Sequence, residues 1–109
     1  MSEAIIVFST CANRKEALSI ANAVVEDQLA ACVQLLPPIR SIYRWQGAIE
    51  QSREILMLFK TTAAQFPALE KRIAELHSYD TPEILAVPVI AGAEKYLAWL
   101  RESSHPGTI

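Results

Sequence analysis

The chain has 109 residues, 51% of them hydrophobic and 20% charged, which is material for one domain with a core that needs no covalent staples. Its 10 basic and 12 acidic side chains are scattered without a run of either sign, for a net charge of -2, so nothing marks a nucleic-acid or anionic-membrane partner. Two cysteines, Cys11 and Cys32, are too few for a disulfide framework or a structural zinc site.

The opening "MSEAIIVFSTC" sets an acid before a short apolar run, has no basic leader region, and no apolar stretch reaches spanning length. A soluble cytoplasmic protein with one domain over residues 1–109 is expected. "AIIVFST", residues 4–10, is rich in β-branched residues and reads as a strand. From Arg14 to Ala31 the apolar residues Ala17, Ile20, Ala21, Val24 and Leu29 fall near helical spacing, with Lys15, Glu16, Glu26 and Asp27 opposite, which predicts an amphipathic helix. "CVQLLPPIRSIYRWQGAIEQSREILMLFKTT" reads as a long hairpin of two extended runs, its turn anywhere in the polar segment from Gln46 to Ser52. Phe66, Leu69, Ile73 and Leu76 form the stripe of a second helix with Pro67 in its first turn. "EILAVPVIAG" is a fourth strand, "AEKYLAWLRES" a short closing helix, and the tail "SHPGTI" is expected to fray.

The order is β-α-β-β-α-β plus a small helix, an α+β class with the ferredoxin-like split β-α-β arrangement. In that topology the second and fourth strands are edges. Proline cannot donate to a ladder, and Pro37, Pro38 and Pro88 fall on those two strands while the two central ones carry none. A sheet with helices on one face and water on the other should alternate apolar and polar residues, but "IIVF", "ILMLF" and "ILAVPVI" are apolar throughout. Both faces are therefore expected to be buried, the second one by another subunit.

"SIYRWQGAIE", "KTT", the His, Tyr, Pro, Glu spacing of "HSYDTPE" and the final "KYLAWL" resemble the CutA divalent-cation tolerance family over roughly residues 4–103. The resemblance implies a compact homotrimer built through the long hairpin, similar in architecture to PII signalling proteins, and an association with copper and other divalent metal ions. The family usually has proline after this histidine and glutamate after the tyrosine, where this chain has Ser78 and Asp80.

His77 follows the last stripe residue, so it stands at a helix carboxy terminus, where a cation complements the dipole; an imidazole is also a ligand for borderline metals, with Glu83 or Asp80 adding oxygen and Tyr79 orienting them. Copper prefers a thiol too, and the resemblance offers Cys11 at the end of the first strand, completing a candidate metal set of His77, Glu83 and Cys11. Tyr43 and Trp45 alternate with Ser41 onto one face of the hairpin strand. The aromatic pair reads first as packing at a subunit interface; in the functional alternative, to which the resemblance also points, they line an intersubunit cleft with Lys60, Tyr79, His77 and Glu83, Tyr43, Trp45, Lys60 and Tyr79 holding a ligand. Lys60 either snorkels to the surface or partners Glu83 or an anion. Cys32, among small and apolar neighbours, reads as a buried, inert thiol.

The sequence has no Gly-rich phosphate loop and no nucleophile elbow, and its second histidine, His105, lies in the tail, so no enzyme is expected. Three functions remain in order: a trimeric copper and divalent-cation tolerance protein; a PII-like regulatory trimer that binds a small molecule or protein; and a small enzyme using the cleft for tautomerase-like chemistry.

Overall fold

The computed structural model describes residues 3–106. Strand β1 covers Ala4–Cys11, helix α1 Arg14–Glu26, strands β2, β3 and β4 Cys32–Leu35, Ile39–Trp45 and Ala48–Thr62, helix α2 Phe66–Leu76, strand β5 Ile84–Pro88 and helix α3 Glu94–Ser103. All strand pairs are antiparallel. The order across the sheet is β2-β4-β1-β5, with β3 following β2 along the same side of β4. The proline-bearing segments thus lie at the two edges and β1 and β4 run through the middle, as the proline argument requires.

Two local rules set the element boundaries. The first helix was expected to reach Ala31 but stops at Glu26: Asp27 caps it and Gln28 turns into the left-handed region at φ 59°. The amides of Gln28 and Leu29 then bond back to the carbonyls of Val25 and Val24 at 3.0 and 2.9 Å, a Schellman closure made without the usual glycine. The long second strand is likewise broken at Pro37 and Pro38 into β2 and β3, because neither proline has an N–H for the ladder. Pairing resumes at once, Ile39 opposite Glu54.

β3 and the first half of β4 form a two-stranded ribbon beyond the body of the sheet. Its turn is two residues long, Gln46 and Gly47 with φ of 50° and 81°, the doubly positive geometry that matches strand twist and joins Trp45 to Ala48.

The core lies on one face of the sheet. Val7 of β1, Met57 and Phe59 of β4, Ile20 and Val24 of α1, and Leu69 and Ile73 of α2 are all fully buried in one apolar cluster. On the other face Ile6 opposes Lys60 and Val87, and Phe8 opposes Leu58 and Leu85. Helix α3 covers part of that face, with the Tyr96 ring 5.5 Å from the Lys60 ammonium and Leu100 buried. The rest is open within one chain: Leu85 is 61% exposed and Val87 42%. No helix among the described residues is long and apolar enough to cross a membrane.

Candidate functional site

The segment from His77 to Glu83 leaves α2 and runs to β5, held by hydrogen bonds to three other parts of the chain, the Thr10 carbonyl and the side chains of Glu16 and Glu54. His77 caps α2, its amide bonding to the Ile73 carbonyl at 2.9 Å. Its Nε2 lies 2.6 Å from the Thr10 carbonyl oxygen at the end of β1, and its Nδ1 accepts the Tyr79 amide at 3.0 Å. A carbonyl can only accept, so the proton sits on Nε2 and the lone pair of Nδ1 is already used. The next amide, Ser78, donates to Glu16 Oε2 at 2.8 Å. The Tyr79 ring lies 4.7 Å from the imidazole, and its hydroxyl donates to Glu54 Oε2 at 2.9 Å.

Glu16 serves two structures at once. Asn13 caps α1 by accepting the Glu16 amide at 2.8 Å, while Glu16 Oε1 reaches back to accept the amide of Ala12, the residue before the cap, at 3.3 Å, a variant of the capping box. Partial burial raises the Glu16 carboxyl pKa, but the hydrogen bonds from Ser78 and Ala12, with His77 nearby, outweigh it and the net shift is downward. A carboxyl whose pKa is lower folded than unfolded contributes stability above the ordinary carboxylate range and loses it as pH falls through the lowered value. Denaturant titrations of wild type and Glu16→Gln should therefore converge on acidification, the wild type losing more stability between neutral pH and the acid limb. Equal slopes in the two proteins would dismiss this contribution.

Between this segment and the ribbon opens a cleft of about 580 Å³. The ribbon contributes Ser41, Tyr43 and Trp45, the segment Tyr79, Asp80 and Glu83, and Glu54 of β4 lies between them. Tyr43 is fixed by a 2.8 Å hydrogen bond across the ribbon between its hydroxyl and Ser52 Oγ. Burial first, then the hydrogen bond to Glu54 and that carboxylate's charge, push the Tyr79 phenol far above its ordinary pKa, so it remains a donor.

Of the six residues expected to line a cleft, Tyr43, Trp45, Tyr79 and Glu83 line this one, and Lys60 and His77 do not; Cys11, expected as a metal ligand, also lies elsewhere. Lys60 is six residues from Glu54 along β4, roughly 20 Å at strand rise, with its ammonium over Tyr96. Cys11 points into the core, its Sγ 3.9 Å from Met57 Sδ and 3.5 Å from the Asn13 carbonyl oxygen. Burial and then the charge of Glu16 push this thiol up to about 11, so it is not the thiolate a metal needs at neutral pH. His77 stands behind the cleft with both ring nitrogens committed to the backbone. Among the described residues no group of three or more His, Cys, Asp or Glu side chains is arranged to hold a metal ion. The donor set of one chain therefore does not fit a preformed metal centre.

Glu54 and Glu16 are the site residues that sequence reading missed. Glu54 carries one usable signal, a carboxylate at the start of the apolar run "ILMLF". Its facing could be assigned only with the ribbon's register, and that depends on which two residues make the turn.

A protein-family model described as CutA1 divalent ion tolerance protein matches residues 5–103. The chain is 46% identical over 99 residues to the divalent-cation tolerance protein CutA of Thermus thermophilus, covering 91% of this chain and 96% of that one. It is 48% identical over 95 residues to protein CutA of Homo sapiens, which is 87% of this chain but 53% of the human protein, so it spans about half of that longer relative. Among solved structures, the divalent cation tolerance protein of Thermus thermophilus is similar with a TM-score of 0.92 at 45% identity, covering 94% of this chain and 99% of that one. CutA from Xylella fastidiosa gives a TM-score of 0.92 at 41% identity, covering 95% and 100%.

Proposed function

The chain belongs to the CutA1 divalent ion tolerance family, and on that premise we propose that it supports divalent-cation tolerance as a homotrimer whose intersubunit clefts bind a small ligand. The family is one of tolerance proteins and not an enzyme family. The observation that carries the trimer is the second face of the sheet. Leu85 and Val87 stand open beside Phe8 and Ile6, Ile90 is 95% exposed, and the ribbon adds exposed Ile42 and Ile49. Exposed apolar residues of this kind, on the open sheet face and along the ribbon, are stable in water when another subunit covers them, and a closed symmetric assembly covers them with copies of the same chain. The strand order, with α1 and α2 packed on the opposite face, supports a ferredoxin-like subunit and a PII-like assembly.

The cleft beside the ribbon is the place for a ligand in this reading. It joins aromatic walls to a few converging polar groups, the mix that small-molecule sites use. Tolerance then runs through ligand binding by the assembled protein, since the described residues of one chain hold no group of three or more His, Cys, Asp or Glu side chains placed for copper or another divalent ion. We place the protein in the cytoplasm, where its two free cysteines stay reduced.

Sedimentation should give a species at three times the 12.1 kDa chain mass, and the double variant Leu85→Asp, Val87→Asp a species at the chain mass. In cells that lack their own copy and face excess copper, the wild type should restore growth. The double variant and the cleft-filling Ser41→Trp should both fail, the latter as an intact trimer. A monomeric wild type, or full rescue by either variant, would overturn the proposal.

A further inference from the structure

Resting on the reading of the cleft as the ligand site, we propose that its ligand is an organic cation, a small molecule carrying an ammonium or guanidinium head that pairs with Glu54. Glu54 is only 7% exposed, yet it lines the cleft. One carboxylate oxygen, Oε2, accepts the Tyr79 hydroxyl; the other has no hydrogen-bond partner among the described residues, and no lysine, arginine or histidine pairs with the carboxylate there. A nearly buried carboxylate that is half satisfied and faces a cavity is completed by a cation, because burial strengthens the pair and penalises the lone charge.

The rest of the lining agrees in sign and shape. Asp80 and Glu83 add two further acids at the segment's end, and among the described residues no basic side chain lines the cleft. An anionic ligand would meet three like charges with no cation of the same chain to balance them. The rings of Tyr43, Trp45 and Tyr79 offer negative faces to a positive head and apolar surface to the carbon chain behind it. That combination separates an organic cation from a bare divalent ion. A metal needs several stripped donors at bonding distance, whereas Glu54 is the single buried carboxylate of the lining and the aromatic walls give an ion nothing to coordinate. Tyr79 keeps the arrangement ready: by donating to Oε2 it turns the carboxylate and leaves Oε1 for the ligand.

The test is calorimetry on the assembled wild-type protein with agmatine, which carries both cationic heads, with glutarate as an anion of similar length and with magnesium chloride and copper sulfate as bare ions. The expected result is one saturable agmatine site per chain, no glutarate binding, and no competition from magnesium. Glu54→Gln should weaken agmatine at least tenfold, and Glu83→Gln, an exposed position that leaves the fold untouched, about threefold or more. Sedimentation of both variants as trimers keeps the comparison clean. Glutarate binding in place of agmatine would overturn the cationic assignment. So would agmatine affinity unchanged in both variants, or copper or magnesium displacing it from the same site. If agmatine fails to bind while Ser41→Trp still abolishes copper tolerance, the cationic ligand falls and the cleft reading stands. If Ser41→Trp is fully tolerant, the cleft reading itself falls.

Discussion

His77→Ala is expected to lower stability by about 2 to 4 kcal/mol while leaving copper affinity unchanged, because it removes two hydrogen bonds and strands a buried carbonyl without removing a free ligand. The imidazole links the end of β1 to the start of the segment after α2: Nε2 donates to the Thr10 carbonyl and Nδ1 accepts from the Tyr79 amide. Thr10 is 6% exposed, so water does not readily replace the donor once it is gone. Tyr79 loses the contact that turns its ring, and with it the orientation of the Glu54 carboxylate. Chemical denaturation of wild type and His77→Ala, with copper titrations of both under mildly reducing conditions, measures the two halves separately. Copper affinity that disappears with the imidazole while stability holds would show that the ring swings out to bind metal. A loss of stability alone makes His77 the latch that its geometry describes.

What the sequence could and could not convey about this site follows from the reach of each interaction. Apolar periodicity located β1, α2 and the second half of β4, because each depends on neighbours within a few residues. The edge prolines located the sheet's borders for the same reason: a missing N–H is a local fact. The end of α1 was missed because its left-handed residue is Gln28, with no glycine to mark the stop. The turn of the ribbon is not legible in sequence because Gln46 and Gly47 sit in a longer polar segment that contains other acceptable turns. The cleft depends on contacts that no local pattern encodes, Glu16 with Ser78 across 62 positions and Tyr79 with Glu54 across 25. His77 shows the limit in its sharpest form. The residue type advertises a metal ligand, and only the positions of two backbone groups reveal that both nitrogens are already spent.

Phe59→Ala should be the costliest single truncation, about 3 to 5 kcal/mol, because it removes a fully buried ring from the strand that the rest of the sheet shares. Phe59 stands opposite Val7 on β1 and Val33 on β2, and its side chain joins the cluster formed with α1 and α2. No neighbour can collapse into the void without moving a strand that is paired on both sides. Trp45 is a ring of greater size with the opposite setting, 51% exposed at the tip of the ribbon and opposite Ala48. Its truncation opens no cavity within the chain, so Trp45→Ala should retain the far-ultraviolet circular dichroism of the wild type. If neighbouring subunits cover the ribbon, its cost emerges instead as dissociation on dilution, a loss set by mass action and not by the chain's own fold. Denaturation midpoints and sedimentation across a hundredfold range of protein concentration separate the two effects. Phe59→Ala should lower the midpoint at every concentration with the subunit affinity little changed, and Trp45→Ala should shift the concentration at which the assembly comes apart. Trp45→Ala that stays assembled at the lowest concentration would place the ribbon outside the subunit interface and leave the open face of β5 as the surface that other copies must cover.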